Sequence, residues 1–231
     1  MLLDGGHLID EALAAGVRLD AVLVADADAD RLARYREAGA QIYRAAPAVL
    51  DAASPLRTPS GIVALAAWTP APLASIVRGR QALAIGLVDV QDPGNVGGVI
   101  RSADALGATG VAAIGQTADP GGWKAMRGAM GSTFRVPVAR DSLDAALAAA
   151  ASACVRPLAT VASGGTPLDA ADLRGPVFVL LGNEGAGLPE AIVERAGGRL
   201  HIPMRTGVNS LNVGVTAALI LYEARRQRAK L

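Results

Sequence analysis

One cysteine, Cys154, and two histidines, His7 and His201, are the only thiol or imidazole donors in the chain. A single cysteine excludes an intramolecular disulfide and fits a reducing compartment, so the cytoplasm is the expected location. No Cys/His cluster has metal-ligand spacing, and no metal is expected. Aromatic residues make up only 3% of the chain, which argues against a base-stacking surface of the kind single-strand binders use. Trp123, following Gly121-Gly122, reads either as one exposed stacker or as a core residue. Apolar runs are cut by Asp, Arg or Gly before they reach transmembrane length, so no membrane partner is expected. The start, Met1-Leu2-Leu3-Asp4-Gly5, has neither a basic region nor a long apolar one, and no signal peptide is expected. Lysine is scarce too: of 22 basic residues only Lys124 and Lys230 are lysines. Arginine suits bidentate phosphate contacts, but compositional bias in so alanine-rich a chain accounts for the preference equally well.

What is present is apolar. Hydrophobic residues make up 52% and charged residues 19% of 231, a compact α/β-sized chain of one large or two small domains. The net charge of +1 announces no nucleic acid by itself. Its distribution is uneven: up to Ala67 there are six basic and nine acidic residues, and after it sixteen basic and twelve acidic. Any electrostatic footprint for a polyanion belongs to the second part.

Helix and strand signals alternate throughout. His7–Leu13 is amphipathic and ends at Gly16; Ala21–Ala25 reads as a buried strand; Asp30–Ala38 is a helix closed by Gly39. Gln41–Tyr43, a helix around Val49–Ala52 and a strand over Ser60–Ala66 complete a small α/β layer over residues 1–67. Trp68-Thr69-Pro70-Ala71-Pro72 opens a linker over 68–80. From 81 to 231 the pattern restarts. Strands are expected at Ala82–Val88, Gly110–Ile114, Phe134–Val138, Val155–Val161 and Val177–Leu181, with a short one before Pro203. Helices are expected at Val96–Leu106, Trp123–Met130, Ser142–Ala153 and from Leu211 to about Arg226, the last with Ser210 as N-cap. Such alternation predicts an open, mostly parallel sheet with right-handed crossovers.

Three polar loops each follow a strand: Asp92–Arg101, Gly182–Glu190 and Ile202–Asn212. Ligands collect beyond the carboxyl ends of strands in open α/β sheets, so these loops are candidates to converge. Gly182-Asn183-Glu184-Gly185-Ala186-Gly187 is neither GxGxxG nor a Walker A loop. Its glycines either let backbone amides approach a ligand or only make a turn. Asn95 and Arg101 straddle the first turns of a helix, as a cap with a solvated arginine or as a functional pair. Arg101 lies among small and apolar residues read as facing the sheet, and an arginine so placed calls for an anionic partner or a function.

Together these loops resemble the SpoU/TrmH family of RNA ribose 2′-O-methyltransferases of the SPOUT superfamily. The carrying residues are Asp92-Pro93-Gly94-Asn95-Val96-Gly97-Gly98-Val99-Ile100-Arg101-Ser102-Ala103-Asp104, Leu181-Gly182-Asn183-Glu184-Gly185-Ala186-Gly187-Leu188-Pro189, and Ile202-Pro203-Met204 with Asn209-Ser210-Leu211-Asn212-Val213. Residues 1–67 resemble the L30e-like substrate-binding domain found ahead of such catalytic domains. Departures are a late start at Leu2–Leu8, the negative first part, Ala129 where relatives often carry serine, and Gly214 where alanine is usual.

The resemblance implies a deep trefoil knot over roughly Val177–Val213 that cradles S-adenosylmethionine, and methyl transfer to a ribose 2′-hydroxyl of structured RNA. The RNA is rRNA in preference to tRNA; a non-catalytic RNA-binding or assembly protein retaining the fold is the alternative. A dehydrogenase is disfavoured by the missing GxGxxG. By the same resemblance Arg101 activates the hydroxyl, Asn95 orients the arginine or the ribose, and Glu184, Ser210 and Asn212 complete the catalytic set. Gly182, Asn183, Glu184, Gly187, Ile202, Pro203, Met204, Ser210, Leu211 and Asn212 would hold the cofactor. Ser210 as a mere N-cap and Glu184 as a mere loop brace remain open readings. A homodimer is implied, with the apolar helix Val213–Tyr222 either at its interface or buried within the monomer.

Overall fold

The computed structural model describes residues 1–25, 29–208 and 210–229. The first 66 residues form β1 (Leu2–Asp4), α1 (Gly6–Ala14), β2 (Leu19–Val24), α2 (Ala29–Glu37), β3 (Gln41–Arg44), α3 (Pro47–Ala53) and β4 (Ile62–Ala66). Their sheet runs β1-β4-β2-β3, with β4 antiparallel to both neighbours and β2 parallel to β3. β1 is too short to show a period in sequence; it exists because β4 offers it a paired edge, Leu3 opposite Ala64. Ile9, Ala12, Leu32 and Tyr35 bury the helices onto this sheet. The Tyr35 hydroxyl donates to Asp10 at 2.8 Å, and burial together with that carboxylate pushes its pKa well above the usual phenol value.

The connection onward is packed. Ile76 of α4 (Leu73–Ile76) is fully buried, and the Ala71 amide donates to the Val138 carbonyl at 2.8 Å. There follow β5 (Leu83–Val88), α5 (Pro93–Leu106), β6 (Gly110–Ile114), α6 (Trp123–Ala129), β7 (Val138–Asp141), α7 (Leu143–Ser152), β8 (Arg156–Thr160) and β9 (Thr166–Pro167). β10 (Val177–Leu181), α8 (Glu190–Arg195), β11 (Arg199–His201) and α9 (Val213–Arg228) complete the chain. The sheet order is β7-β6-β5-β10-β8-β11-β9, and every pairing is parallel. β5, β6 and β10 are buried at every position, as central strands covered on both faces must be.

Two expected elements differ. The strand expected over Phe134–Val138 is instead a 3₁₀ turn, Ser132–Phe134, and β7 begins only at Val138. Gly131 turns the chain at φ 85°, and Pro137 has no amide with which to join a ladder. The last helix starts at Val213 rather than Leu211, and its N-cap is Asn212, not Ser210.

The two sheets meet at α6. Met126 projects from that helix into the core of the first sheet and is fully buried there, with Phe134 packed beside it. Arg135 ties the joint from outside, its guanidinium paired with Glu11 of α1 and with Asp104 of α5. α5 and α6 pack backbone to backbone at Gly97, where a Cβ would lie 2.3 Å from the Ala125 carbonyl oxygen and 2.9 Å from the Ala129 nitrogen.

Candidate active site

Asp92 caps α5, accepting from the Gly94 amide at 2.7 Å, and Pro93 fills the first helical position, where no amide is needed. The cap is therefore not Asn95, which sits in the first turn with its side chain directed elsewhere. At the other end of the site Asn212 caps α9, its Oδ1 accepting from the Gly214 and Val215 amides at 2.9 and 3.3 Å. Between them, the Asn183 amide group donates to the Asp89 carbonyl at 2.9 Å while its Oδ1 accepts from Gly185 and Ala186. That clamp folds the loop after β10 over the end of β5.

Three residues 89 and 117 positions apart in the chain now share one hydrogen-bonded line. Asn95 Nδ2 donates to Glu184 Oε1 at 2.8 Å, and Asn212 Nδ2 donates to Asn95 Oδ1 at 2.9 Å. Glu184 and Asn212 are exposed and Asn95 half-buried. Hydrogen bonds this accessible contribute only about 1 kcal/mol each to stability. Their main effect is positional: each of the three polar loops is fixed to the next.

Beside this line lies a cavity of about 240 Å³ at the carboxyl ends of β8, β10 and β11. Leu181, Leu200, Ile202, Met204 and Leu211 supply apolar wall, and Gly182 to Gly187 supplies backbone. Gly182 allows the loop to close on itself, since a Cβ there would stand 2.2 Å from the Gly187 carbonyl carbon. The turn and the close backbone approach are thus one feature.

Of the residues singled out in the sequence, Gly182, Asn183, Glu184, Gly187, Ile202, Met204, Ser210 and Leu211 line the cavity. Pro203, Asn212, Asn95 and Arg101 do not. Asn209 lies outside the described residues. Arg101 is exposed rather than turned to the sheet. Val96, Val99, Ile100 and Ala103 take the buried face of α5, and Arg101 follows Ile100 by one step of about 100° round the helix. Six residues beyond Asn95, it stands about 9 Å further along α5 and about 120° round from it. No other described residue pairs with its guanidinium.

Thr160, Val161 and Ala162 also line the cavity, as do His201, Thr216 and Ile220. Their sequence signal was slight: a strand ending in Thr160, whose hydroxyl donates to the Leu180 carbonyl at 3.0 Å, followed by a Ser-Gly-Gly turn. His201 Nδ1 lies 2.9 Å from the Gly165 carbonyl and so carries the hydrogen there, leaving Nε2 without one in the neutral ring.

Residues 82–222 match the model of the SpoU rRNA Methylase family. The 23S rRNA (guanosine(2553)-2′-O)-methyltransferase RlmP of Bacillus subtilis is 34% identical over 97% of this chain and 88% of its own length. An AdoMet-bound rRNA methyltransferase from Sinorhizobium meliloti superposes with a TM-score of 0.89 at 30% identity, covering 97% of this chain and 86% of that one. The SpoU methyltransferase AviRb from Streptomyces viridochromogenes, in complex with AdoMet, gives 0.87 at 29% identity over 99% and 90% of the two chains. The family match spans all three polar loops and the sheet that positions them, and the chain belongs to the SpoU rRNA methylase family.

Proposed function

We propose that this chain transfers a methyl group from S-adenosylmethionine to a ribose 2′-hydroxyl of structured RNA, with rRNA as the substrate class. The observation that carries this reading is the Glu184–Asn95–Asn212 line, set against a cavity built from the second and third loops. The residues present fit the cofactor. Leu181, Leu200, Ile202 and Met204 form an apolar slot for a purine, and the Gly182–Gly187 backbone offers amides and carbonyls to its polar groups. At about 240 Å³ the cavity approaches the lower end of the range for small-molecule sites. The threaded course of residues 177–213 belongs to the same reading.

When bound, S-adenosylmethionine would supply a sulfonium methyl to the ribose oxygen, with the neutral thioether S-adenosylhomocysteine as leaving group and the hydroxyl proton released to solvent. The chain's own part is alignment of the ribose, which supplies much of the acceleration in an in-line displacement. Asn95, locked at both ends of its amide, holds the first loop in register with the second and third. Glu184 fixes the loop that closes over the cofactor, and Ser210 stands at the cavity rim. Arg101 acts on the RNA rather than on the cofactor. A guanidinium, which keeps its protons in proteins, is a poor base, so its role is to clamp a phosphate and stabilise negative charge developing on the ribose oxygen.

Two further parts of the proposal concern assembly. The first sheet is an L30e-like RNA-capturing unit, supported by its position at the head of a catalytic domain of this family. The protein is a homodimer through α9: Val215, Leu219 and Tyr222 are exposed by 49, 40 and 60% on one stripe at i, i+4 and i+7. The opposite face of α9 is buried in the monomer through Val213, Ala217, Ile220, Leu221 and Ala224, so the interface reading concerns the exposed stripe alone.

The test is a tritiated-methyl assay on unmodified rRNA and tRNA, followed by mapping of the methylated ribose in a deletion strain. Incorporation into rRNA at one ribose is expected; incorporation into neither RNA overturns the reading.

A further inference from the structure

A second cavity, of about 190 Å³, lies where the two sheets meet and shares no lining residue with the three polar loops. Its floor is apolar and drawn from both units: Leu2, Leu8 and Leu56 from the first, Met130 from the second. Trp123 lines it, half-buried and belonging to no hydrophobic core. Arg127, one helical turn on, lines it too, exposed and with no partner among the described residues. The Lys124 ammonium stands over the Trp123 ring, 5.4 Å from its centre, and Lys124 is not among the lining residues.

We propose that this cleft takes one unpaired nucleobase of the RNA substrate, stacked on Trp123, with the adjoining phosphate on Arg127. The inference rests on the methyltransferase reading above and deepens it by placing a nucleotide next to the target. A planar ring is the occupant that the chemistry favours. The cleft is smaller than the range for whole small-molecule ligands, it joins an aromatic wall to an apolar floor, and a free guanidinium stands at its mouth. Asp4 adds a carboxylate that already accepts from Ser54 and Ser60 and has lone pairs left for a ring N–H.

The same helix connects the cleft to the reaction site. Gly128, immediately after Arg127, packs against the Gly94 carbonyl and Gly97 of α5, within two residues of Asn95. Trp123 to Gly128 covers about 7.5 Å of helix, so the bound base belongs to a near neighbour of the reacting ribose. Met126 on the buried side of α6 and the Arg135–Glu11 pair hold the two walls together, so the cleft is formed before RNA arrives.

Two measurements test this. In full-length protein carrying Trp68→Phe, Trp123 is the only tryptophan fluorophore, and hexa-adenylate and hexa-uridylate are the probes. Saturable quenching that weakens with added salt and is lost in Arg127→Ala is expected. In rRNA methylation, Trp123→Ala should raise KM for RNA by roughly tenfold, with kcat and S-adenosylmethionine affinity within twofold, and Trp123→Phe should restore it. No quenching by either probe, quenching indifferent to salt and to Arg127, or an unchanged KM overturns the cleft assignment. So does a Trp123→Ala protein that melts early and is not rescued by phenylalanine, which would make the ring a packing residue. Quenching by a protein that methylates no RNA sinks the enzymatic reading and leaves the cleft standing; methylation without quenching does the reverse.

Discussion

Asn95 accepts from one loop and donates to another through the two ends of a single amide, so its identity matters more to register than to folding energy. Asn212 is different, because its Oδ1 also caps a helix. Asn212→Ala should lower stability by about 1 kcal/mol along with activity. Asn212→Ser restores the cap but lacks the reach to Asn95, so thermal melting should recover while methylation stays low; recovery of both would reduce Asn212 to a capping residue. Arg101 has no partner among the described residues to lose. Arg101→Ala should therefore abolish RNA methylation with a melting temperature close to the parent's and S-adenosylmethionine affinity, by calorimetry, nearly intact. A large loss of cofactor binding would contradict its assignment to the RNA.

Helix contacts set where these side chains stand. Gly97 brings α5 within backbone distance of α6. Gly97→Ala would press a methyl on the Ala125 carbonyl and should cost about 1–3 kcal/mol, tilting α5 and lowering activity beyond what the loss of stability explains. Denaturant melts beside single-turnover rates separate the two effects. The C-terminal end of α9 is held by a different device. Arg228 donates to the carbonyls of Gln81, Ala82, Leu173 and Gly175, joining the helix end to the starts of β5 and β10. Burial lowers its pKa from the ordinary arginine value, yet a guanidinium stays charged throughout the accessible range. Arg228→Ala should cost roughly 2–3 kcal/mol by chemical denaturation, with no change in stability against pH attributable to this side chain between pH 5 and 9.

At the scale of the whole molecule, two sheets share one joint and α9 leaves one apolar stripe uncovered. Leu219→Asp places a charge in the middle of that stripe, on a side chain already 40% exposed, and should leave the monomer folded. Sedimentation should then show a dimer for the parent and a monomer for the variant. A parent that sediments as a monomer would remove α9 from the assembly. No helix among the described residues is long and apolar enough to cross a membrane, so this stripe is not part of a helical span.

The sequence by itself determined most elements and the candidate set. Buried strands such as Val177–Leu181 are continuous apolar runs, and helix ends such as Gly107 at φ 78° are written in single residues. These are local signals, and local signals survive without a structure. Tertiary structure decided what short or ambiguous segments do. β1 has three residues and no period, and forms only because β4 is there to pair with it. Phe134 turns away from a strand because the first sheet's core receives it. Ser210 and Asn212 are equally good caps by composition; Asn212 takes that role, and its Nδ2 also meets Asn95. Arg101, read as facing the sheet, faces solvent because one step round a helix separates it from Ile100. Above all, the distances among Asn95, Glu184 and Asn212 are set by the order β5-β10-β8-β11. Strand order is a property of long-range pairing that no run of neighbouring residues encodes.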